Sequence, residues 1–194
     1  MSDDAATLVA AAAAGDSAAW ETLVDRYSGL MWAVARSFRL DSADAADAVQ
    51  TAWLRLLEHL DRIDDPERLP AWLATTTRRE CLRLLRRGQR EAPADDDTLG
   101  AVPDDAAPLD AGLLLAERDA ALWRAFEQIS DRCQGLLRVL MASPPPSYAA
   151  VSAALDMPIG SIGPTRQRCL DQLRRVVAAD SALADPGAPA GGTA

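Results

Sequence analysis

The chain has 194 residues, which suits one large domain or two small ones, and it is rich in Ala and Leu, which favours helices over strands. Its formal net charge is −9 and its pI is about 4.6, which by itself argues against a nucleic-acid binder, because phosphate contacts need clustered positive charge. No apolar run has the length of a membrane span and the N-terminal segment is a poor signal peptide, so we expect a cytoplasmic protein without membrane insertion.

The first part of the chain predicts a tail followed by three helices. Residues 1–15 form the predicted N-terminal tail, and residues 16–90 form the first predicted domain. Its first helix is capped by Asp16 and Ser17, and its apolar residues recur every three or four positions up to Phe38. Its second helix covers residues 42–60. Its third covers 70–90 and begins at Pro70, a residue favoured in the first turn of a helix.

The second part predicts a linker, four helices and a tail. Residues 91–112 are rich in Asp, Pro, Ala and Gly and form a predicted flexible acidic linker. Residues 113–178 form the second predicted domain, with helices over 113–130, 133–142 and 148–155, and a last one from 161 to 178. Ser147 and Ser161 are the predicted caps of the last two helices. Residues 179–194 are predicted to be disordered, so the expected fold is all-α, with two small helical domains.

The third helix carries two contrasting faces. Its predicted buried side consists of Leu73, Ala74, Thr77, Cys81, Leu84 and Leu85. Its other side consists of Trp72, Thr76, Arg79, Arg83, Arg86 and Arg90, flanked by Arg78 and Arg87, and Glu80 is the only acid between Arg78 and Arg90. Such a face suits a phosphate backbone, with a ring placed to stack on an unpaired base. The alternatives are a solvated helix face and, for Trp72, partial burial at a helix–loop junction.

Residues 147–177 show a helix-turn-helix pattern, with a short helix, a tight turn containing Gly160 and a longer basic helix. On the last helix, Ile162, Cys169, Leu173, Val176 and Val177 form the apolar stripe. The opposite side carries Ser161, Pro164, Arg168, Asp171 and Arg175, with Gln167 nearby. Arg can bind guanine and Gln can bind adenine in the major groove. An ordinary pair of antiparallel helices is the alternative.

The sequence gives no sign of catalysis. Cys81, Cys133 and Cys169 lie far apart without metal-ligand spacing, and an odd count is a poor disulfide framework, so each is expected to be a small buried residue. His59, the single histidine, has no nucleophile or carboxylate constellation beside it. No Gly-rich phosphate loop follows a strand. We therefore predict neither a metal nor a cofactor, and a protein that is not an enzyme.

Three segments resemble the extracytoplasmic-function (group IV) RNA polymerase sigma factors of the sigma-70 family. Residues 44–57, DAADAVQTAWLRLL, are similar to the family's polymerase-binding helix, with matches at Asp47, Val49, Gln50, Leu54 and Arg55. Residues 70–87, PAWLATTTRRECLRLLRR, resemble its next helix. Residues 147–175, SYAAVSAALDMPIGSIGPTRQRCLDQLRR, resemble its C-terminal helix-turn-helix. The three motifs occur in the family's order on either side of a linker.

The resemblance implies a transcription initiation factor that binds core RNA polymerase and directs it to promoters. Region 2 would bind the β′ clamp helices of the polymerase through Asp44, Asp47, Gln50 and Arg55. It would bind and open the −10 element through Arg62, Arg68, Trp72, Thr76, Arg78, Arg79, Arg83 and Arg86. Region 4 would sit on the β flap and bind the −35 element through Ser161, Pro164, Thr165, Arg166, Gln167, Arg168 and Arg175. An anti-sigma factor is a further possible partner, and free sigma would bind DNA poorly.

The last helix departs from the family pattern. Gly163, Pro164 and Thr165 stand where the family commonly has K-S-R, and Arg166 occupies a usual Leu position, from which we expect it to extend outward. These departures bear on the −35 contacts more than on the fold. Two further classes stay open on the sequence: a stand-alone helix-turn-helix regulator that works without joining polymerase, and a pure interaction bundle.

Overall fold

The structure, a computed structural model, describes residues 4–91 and 113–179. The α-helices in these ranges are α1 (Ala5–Ala13), α2 (Ser17–Arg36), α3 (Ser42–His59), α4 (Leu69–Glu91), α5 (Leu113–Glu127), α6 (Asp131–Leu140), α7 (Tyr148–Leu155) and α8 (Ile159–Ala179). Two short 3-10 helices, Leu60–Arg62 and Pro66–Arg68, connect α3 to α4. No strand occurs in the two described ranges, and the predicted all-α fold is confirmed.

Side chains cap most of the helix starts that the sequence indicates. Asp16 accepts hydrogen bonds from two backbone N–H groups of α2, at 2.9 and 3.2 Å, and Ser147 accepts one from α7 at 3.2 Å, as predicted. Asp41 caps α3 through a bond of 2.7 Å. The prediction for Ser161 was wrong, because α8 begins two residues earlier, at Ile159, and the Ser161 hydroxyl donates to the carbonyl oxygen of Pro158 at 2.7 Å.

The segment predicted as an N-terminal tail contains a helix that packs on the rest of the fold. Helix α1 contacts α2 and both 3-10 helices between α3 and α4. Its Leu8 and Val9 are buried in the same cluster as Leu60 and Leu69. The sequence did not indicate this helix because its Ala-rich composition leaves only two large apolar residues to mark a buried face.

Helices α1 to α4, called the first half below, enclose one core. Leu23 and Met31 of α2, Leu56 of α3 and Leu73 of α4 are fully buried in it. On its edge the rings of Trp20 and Trp53 meet edge to face, with centroids 5.6 Å apart. The apolar side predicted for α4 lies in this core at Leu73, Cys81 and Leu84.

Helices α5 to α8, the second half, share their core with the first half. The second cluster joins Leu136, Val139, Val151 and Ile162 of the second half to residues of α2 and α4. Those first-half residues are Leu30, Ala33, Val34 and Ala74. Helix α4 packs against α7 and α2 packs against α6. The helices of the two halves therefore lie in contact and share one of the two core clusters.

Two glycines let the halves approach closely. A Cβ atom added at Gly29 of α2 would lie 2.5 Å from the backbone oxygen of Ser143, a distance that real Cβ atoms do not show. A Cβ atom at Gly135 of α6 would lie 3.3 Å from Cβ of Ser37. Since glycine is the only residue without a Cβ, both positions fit a chain whose halves are packed together.

Polar contacts also cross between the halves. Arg78 of α4 bonds to Asp156, in the turn between α7 and α8, at 2.9 Å. Arg39 pairs with Asp131, and Arg138 donates to the backbone oxygen of Arg36 at 3.0 Å. Burial lowers the pKa of the Arg138 guanidinium, and the positive charges of Arg36 and Arg39 lower it further. The predicted linker beyond Glu91 and the predicted tail beyond Ala179 lie outside the described residues.

The expectation for two of the three cysteines was wrong. Cys133 of α6 and Cys169 of α8 form a disulfide across 36 residues. Cys81 of α4 is a free, buried thiol, as expected, and burial raises its pKa to about 12. The apolar spacing placed Cys133 and Cys169 on buried helix faces, but only the packing of α6 on α8 brings the two together.

Candidate nucleic-acid interface

The exposed side of α4 carries the row of arginines predicted from the sequence. Arg79, Arg83 and Arg86 are exposed, and Trp72, near the start of the helix, is 38% exposed. Arg79 makes no hydrogen bond or ion pair with any residue that the structure describes. The side chains of Gln89, Arg90 and Glu91 lie outside the described part of the chain. We call Trp72, Arg79, Arg83 and Arg86 the arginine face.

Two residues predicted for this face are placed elsewhere. Thr76 is buried, contrary to the prediction, because α4 is covered by α2, α3 and α7 and exposes a narrower face than a helix packed on one side. The side chain of Arg78 is three-quarters buried against the second half, where it pairs with Asp156. In this arrangement neither residue is available to DNA.

The connection between α3 and α4 holds the two remaining arginines of the predicted −10 surface. Arg62 ends the first 3-10 helix and lies 4.0 Å from Asp61. Arg68 ends the second and pairs with Asp65 at 2.9 Å. Both are exposed, so these pairs are weak and can give way to a phosphate. Both 3-10 helices of this connection contact α1, and the second leads directly into α4.

The predicted polymerase-binding residues share the outer side of α3. Asp47, Gln50 and Arg55 are exposed and Asp44 is half-buried in the first turn. Leu54 and Leu57 lie among them, each 52% exposed. Both leucines face outward because the buried positions of α3 are 45, 48, 49, 52 and 56. The outer side of α3 therefore combines charge with two exposed leucines, a composition typical of a protein-binding surface.

A buried carboxylate lies between α3 and the arginine face. Glu80 of α4 is 2% exposed. Its Oε1 forms an ion pair with Nη2 of Arg55 at 2.7 Å, and its Oε2 accepts a hydrogen bond from Nε of Arg83 at 2.7 Å. The sequence marked Glu80 only as the single acid among arginines. Arg83 lies one turn along the same helix, whereas the pairing with Arg55 depends on the packing of α3 against α4, which periodicity does not show.

The helix-turn-helix is formed by α7 and α8 as predicted. Asp156 closes α7 with φ +53°, a left-handed conformation that ends a helix. Pro164, Arg166, Gln167, Arg168 and Arg175 are exposed on α8, and Ser161 is partly exposed. Arg166 extends outward as expected. Thr165 is buried, and its hydroxyl accepts from Arg168 at 3.2 Å, so it supports Arg168 instead of facing a groove.

The exposed residues of α8 are held by a local network. Gln167 donates to Asp171 at 3.1 Å, and Arg174 pairs with Asp171 at 2.7 Å. Arg175 donates to the backbone oxygen of Asp171 at 3.3 Å. Pro164 is the sixth residue of α8, beyond the first turn, so it removes one intrahelical hydrogen bond that the family pattern would keep.

The second half also exposes apolar side chains that the sequence analysis did not single out. Trp123 of α5 is 59% exposed and meets Phe126 edge to face at 5.6 Å, and Leu122 is exposed beside it. Periodicity could have found them, because both fall off the buried stripe that Ala121 and Ala125 define.

The described residues carry neither a metal-binding group of side chains nor a membrane-spanning helix. No group of three or more His, Cys, Asp or Glu side chains is placed there to hold a metal ion. The exposed His59 has its Nδ1 2.9 Å from the backbone oxygen of Arg55. None of the helices in these ranges combines the length and apolar character needed to cross a membrane.

Comparison with known proteins gives one family model and several similar structures, among them those of CnrH and RpoE. Residues 23–91 match the family model described as Sigma-70 region 2. The structure of CnrH in complex with the cytosolic domain of CnrY is similar with a TM-score of 0.56 and 24% identity, and the match covers 92% of this chain and 100% of that one. The sigma factor RpoE from Bartonella quintana, in a co-crystal structure with the anti-sigma factor NepR, is similar with a TM-score of 0.57 and 21% identity, over 83% of this chain and 98% of that one. No curated protein matches the sequence.

Proposed function

We propose that this chain, a sigma factor of the sigma-70 family and of the extracytoplasmic-function type, binds core RNA polymerase and directs it to specific promoters. The observation that carries the proposal is the arginine face of α4. It lies within the segment that matches sigma-70 region 2, in a chain whose net charge is −9. Positive charge concentrated on one helix of an acidic protein marks the place where DNA would bind.

Helix α3 supplies the proposed polymerase contact. Asp44, Asp47, Gln50 and Arg55 would bind the β′ clamp helices. The exposed Leu54 lies among these side chains and would add apolar contact area. An exposed apolar group within a polar rim is the usual anatomy of a protein–protein interface.

The arginine face and the adjoining loop supply the proposed −10 contact. Arg79, Arg83 and Arg86 would bind phosphates, and Trp72 would stack on an unpaired base of the opened strand. Arg62 and Arg68 would join them after exchanging their weak carboxylate partners for phosphates. Thr76 is buried in the core and would not contact DNA. Arg78 would reach DNA only after the halves separate, because Asp156 holds it in the closed arrangement.

Helix α8 supplies the proposed −35 contact. Arg166, Gln167, Arg168 and Arg175 would face the major groove, with Ser161 and Pro164 at the entering end of the helix. Thr165 would position Arg168 through its hydroxyl. The second half would rest on the β flap of the polymerase through apolar side chains such as Leu122 and Trp123.

The packing of the two halves supports low DNA binding by the free protein. The helix-turn-helix is tied to α4 by the Arg78–Asp156 pair and by the contact of α4 with α7. The −10 and −35 elements lie at separate places on the DNA. The arginine face and α8 would therefore bind both elements of one promoter only after the two halves move apart. Polymerase would supply that separation by holding each half at its own site, and an anti-sigma factor would oppose it by favouring the closed arrangement.

The remaining parts of the proposal follow from this role. The chain would act in the cytoplasm, where the polymerase is, and would contribute binding energy without catalysing a reaction or using a cofactor. A stand-alone helix-turn-helix regulator is not favoured, since such a protein has no need of the region 2 segment that residues 23–91 match.

Run-off transcription tests the proposal. Core polymerase from a related bacterium would be mixed with pooled genomic promoter fragments, with the chain added or left out. We expect discrete new transcripts that fall about tenfold or more for Arg79→Ala and Arg168→Ala, since each change removes a charge-assisted contact to DNA. Arg132→Ala, which changes an exposed arginine of α6 outside the proposed surfaces, is the matched control. No new start sites, together with no co-elution with core polymerase, would overturn the proposal.

A further inference from the structure

Glu80 is unusual among the acidic side chains that the structure describes. It is the only carboxylate among them that is buried. Burying an isolated carboxylate is costly, so a carboxylate in such a place needs cationic partners. Glu80 has two, and each of its oxygen atoms forms an ion pair with a different arginine at 2.7 Å.

The two arginines belong to different surfaces. Arg55 lies on the outer side of α3, among the proposed polymerase contacts, whereas Arg83 lies on the arginine face of α4. Both side chains are about half exposed, so their outer parts remain open to a partner molecule. The buried Glu80 therefore pairs with one partly exposed residue of each proposed interface.

The contact leaves each arginine free to bind something else. Glu80 engages Nη2 of Arg55 and Nε of Arg83, one nitrogen of each guanidinium. A guanidinium has five N–H donors, so the remaining ones can bind a carboxylate of the polymerase or a DNA phosphate. A long side chain that is already oriented loses less conformational entropy on binding than a mobile one.

We propose that Glu80 is a positioning residue that orients Arg55 for the polymerase and Arg83 for the promoter, so that one buried carboxylate supports both interfaces. The inference rests on the function proposed above and deepens it. It predicts that a change at Glu80 weakens two separate steps, binding to core polymerase and opening of the −10 element. By contrast, Arg55→Ala weakens the first step and Arg83→Ala the second.

The test compares Glu80→Gln with Glu21→Gln in the full chain. Glu80→Gln keeps the size of the side chain and removes its charge, while Glu21→Gln makes the same change at an exposed position of α2 outside both interfaces. Affinity for core polymerase would be measured by fluorescence anisotropy, and strand opening by the fluorescence of 2-aminopurine in the −10 element. We expect Glu80→Gln to weaken each by about tenfold, the loss of one charge-assisted contact, and Glu21→Gln to weaken neither.

A double variant separates positioning from general damage. If Glu80 acts through Arg55, then Glu80→Gln adds little loss of core affinity in an Arg55→Ala background. Full additivity of the two losses would overturn the inference. Glu80→Asp serves if Glu80→Gln does not fold, because it keeps the charge but is too short to reach both arginines. A Glu80→Asp protein equal to wild type in both readouts would also overturn the inference.

The failure of the inference is distinguishable from the failure of the proposed function. A wild-type chain that supports transcription while Glu80→Gln behaves like Glu21→Gln overturns the inference alone. A wild-type chain that does not bind core polymerase overturns the proposed function, and the inference with it.

Discussion

Helices α1 to α4 complete their core among themselves, whereas helices α5 to α8 complete theirs against α2 and α4. The first cluster contains only first-half residues, such as Leu23 and Leu56, while the second includes Leu30, Val34 and Ala74 from the first half. The second half also has a disulfide, which the first half lacks in its described residues. The first half should therefore keep its fold when the halves separate, and the second half should lose part of its stability.

This difference matters for the proposed function, because in that proposal the halves separate when the chain binds polymerase and promoter DNA. The half that carries the arginine face and the α3 surface is the self-sufficient one. The helix-turn-helix gives up buried contacts with α2 and α4 on release, and polymerase would have to compensate by covering its exposed apolar residues. Four changes to the chain test this comparison, in order of decreasing expected effect.

Removal of the disulfide should have the largest effect, and only on the second half. A cross-link that closes a loop of 36 residues stabilises by about 4 kcal/mol through the entropy of the unfolded chain. We expect Cys133→Ala with Cys169→Ala to lower the stability of α6 to α8 by that order, measured by hydrogen exchange, with α1 to α4 unchanged. Reduction of the wild type should act in the same way. Three reactive thiols in the unfolded, unreduced protein would contradict the pairing.

Two matched leucine truncations test whether the second half depends on the first for its stability, or each on the other. Leu23 and Leu136 are both buried to within 1%, one in each core, and Leu→Ala at either should cost about 3 kcal/mol. Because the second half packs on the first, Leu23→Ala should lower hydrogen-exchange protection in both halves, whereas Leu136→Ala should lower it only in α5 to α8. If Leu136→Ala lowered hydrogen-exchange protection in α1 to α4 as much as in α5 to α8, the two halves would stabilise each other equally.

Gly29→Ala should loosen the contact between the halves. The new methyl group would lie 2.5 Å from the backbone oxygen of Ser143, and relieving such overpacking costs about 1–3 kcal/mol. We expect a larger radius of gyration in small-angle scattering with the core of the first half intact. Gly88→Ala has no atom within 4 Å of the new methyl and is the control. An unchanged radius for Gly29→Ala would show that the contact adjusts at no cost.

The smallest expected effect on stability comes from the ionisation of Cys81, and it occurs only at high pH. Its pKa is raised by burial from 9.0 to about 12, so the folded protein retains a proton that the unfolded chain releases. The resulting stability is present below pH 9.0 and is lost as the pH rises toward 12. At pH 10 we expect a loss of about 1 kcal/mol relative to pH 8, measured by urea unfolding. A Cys81→Ala protein with the same pH dependence would contradict this assignment.

The parts of the fold that the sequence predicted are those fixed by neighbours along the chain. Asp16 and Ser147 cap their helices through backbone groups two or three residues away, and the apolar side of α4 follows its helical repeat. Resemblance to a family added the roles of the α3 and α8 surfaces. These roles did not follow from periodicity.

The parts that were missed depend on residues far apart in the sequence. Thr76 is buried because three helices cover α4, and Arg78 finds Asp156 78 residues later. The Cys133–Cys169 disulfide and the pairing of Glu80 with Arg55 arise in the same way, from helices packed side by side. A single sequence shows which face of a helix is apolar, but it does not show which helix covers it.

The most direct test of the account is the distance between the halves with and without core RNA polymerase. The described cysteines are either buried or disulfide-bonded, so Ser17→Cys and Ala178→Cys, both at exposed positions, would provide sites for a donor and an acceptor dye. We predict high energy transfer in the free protein, little change when promoter DNA is added alone, and a marked fall when core polymerase is added. Energy transfer that stays high at saturating core polymerase would contradict the account.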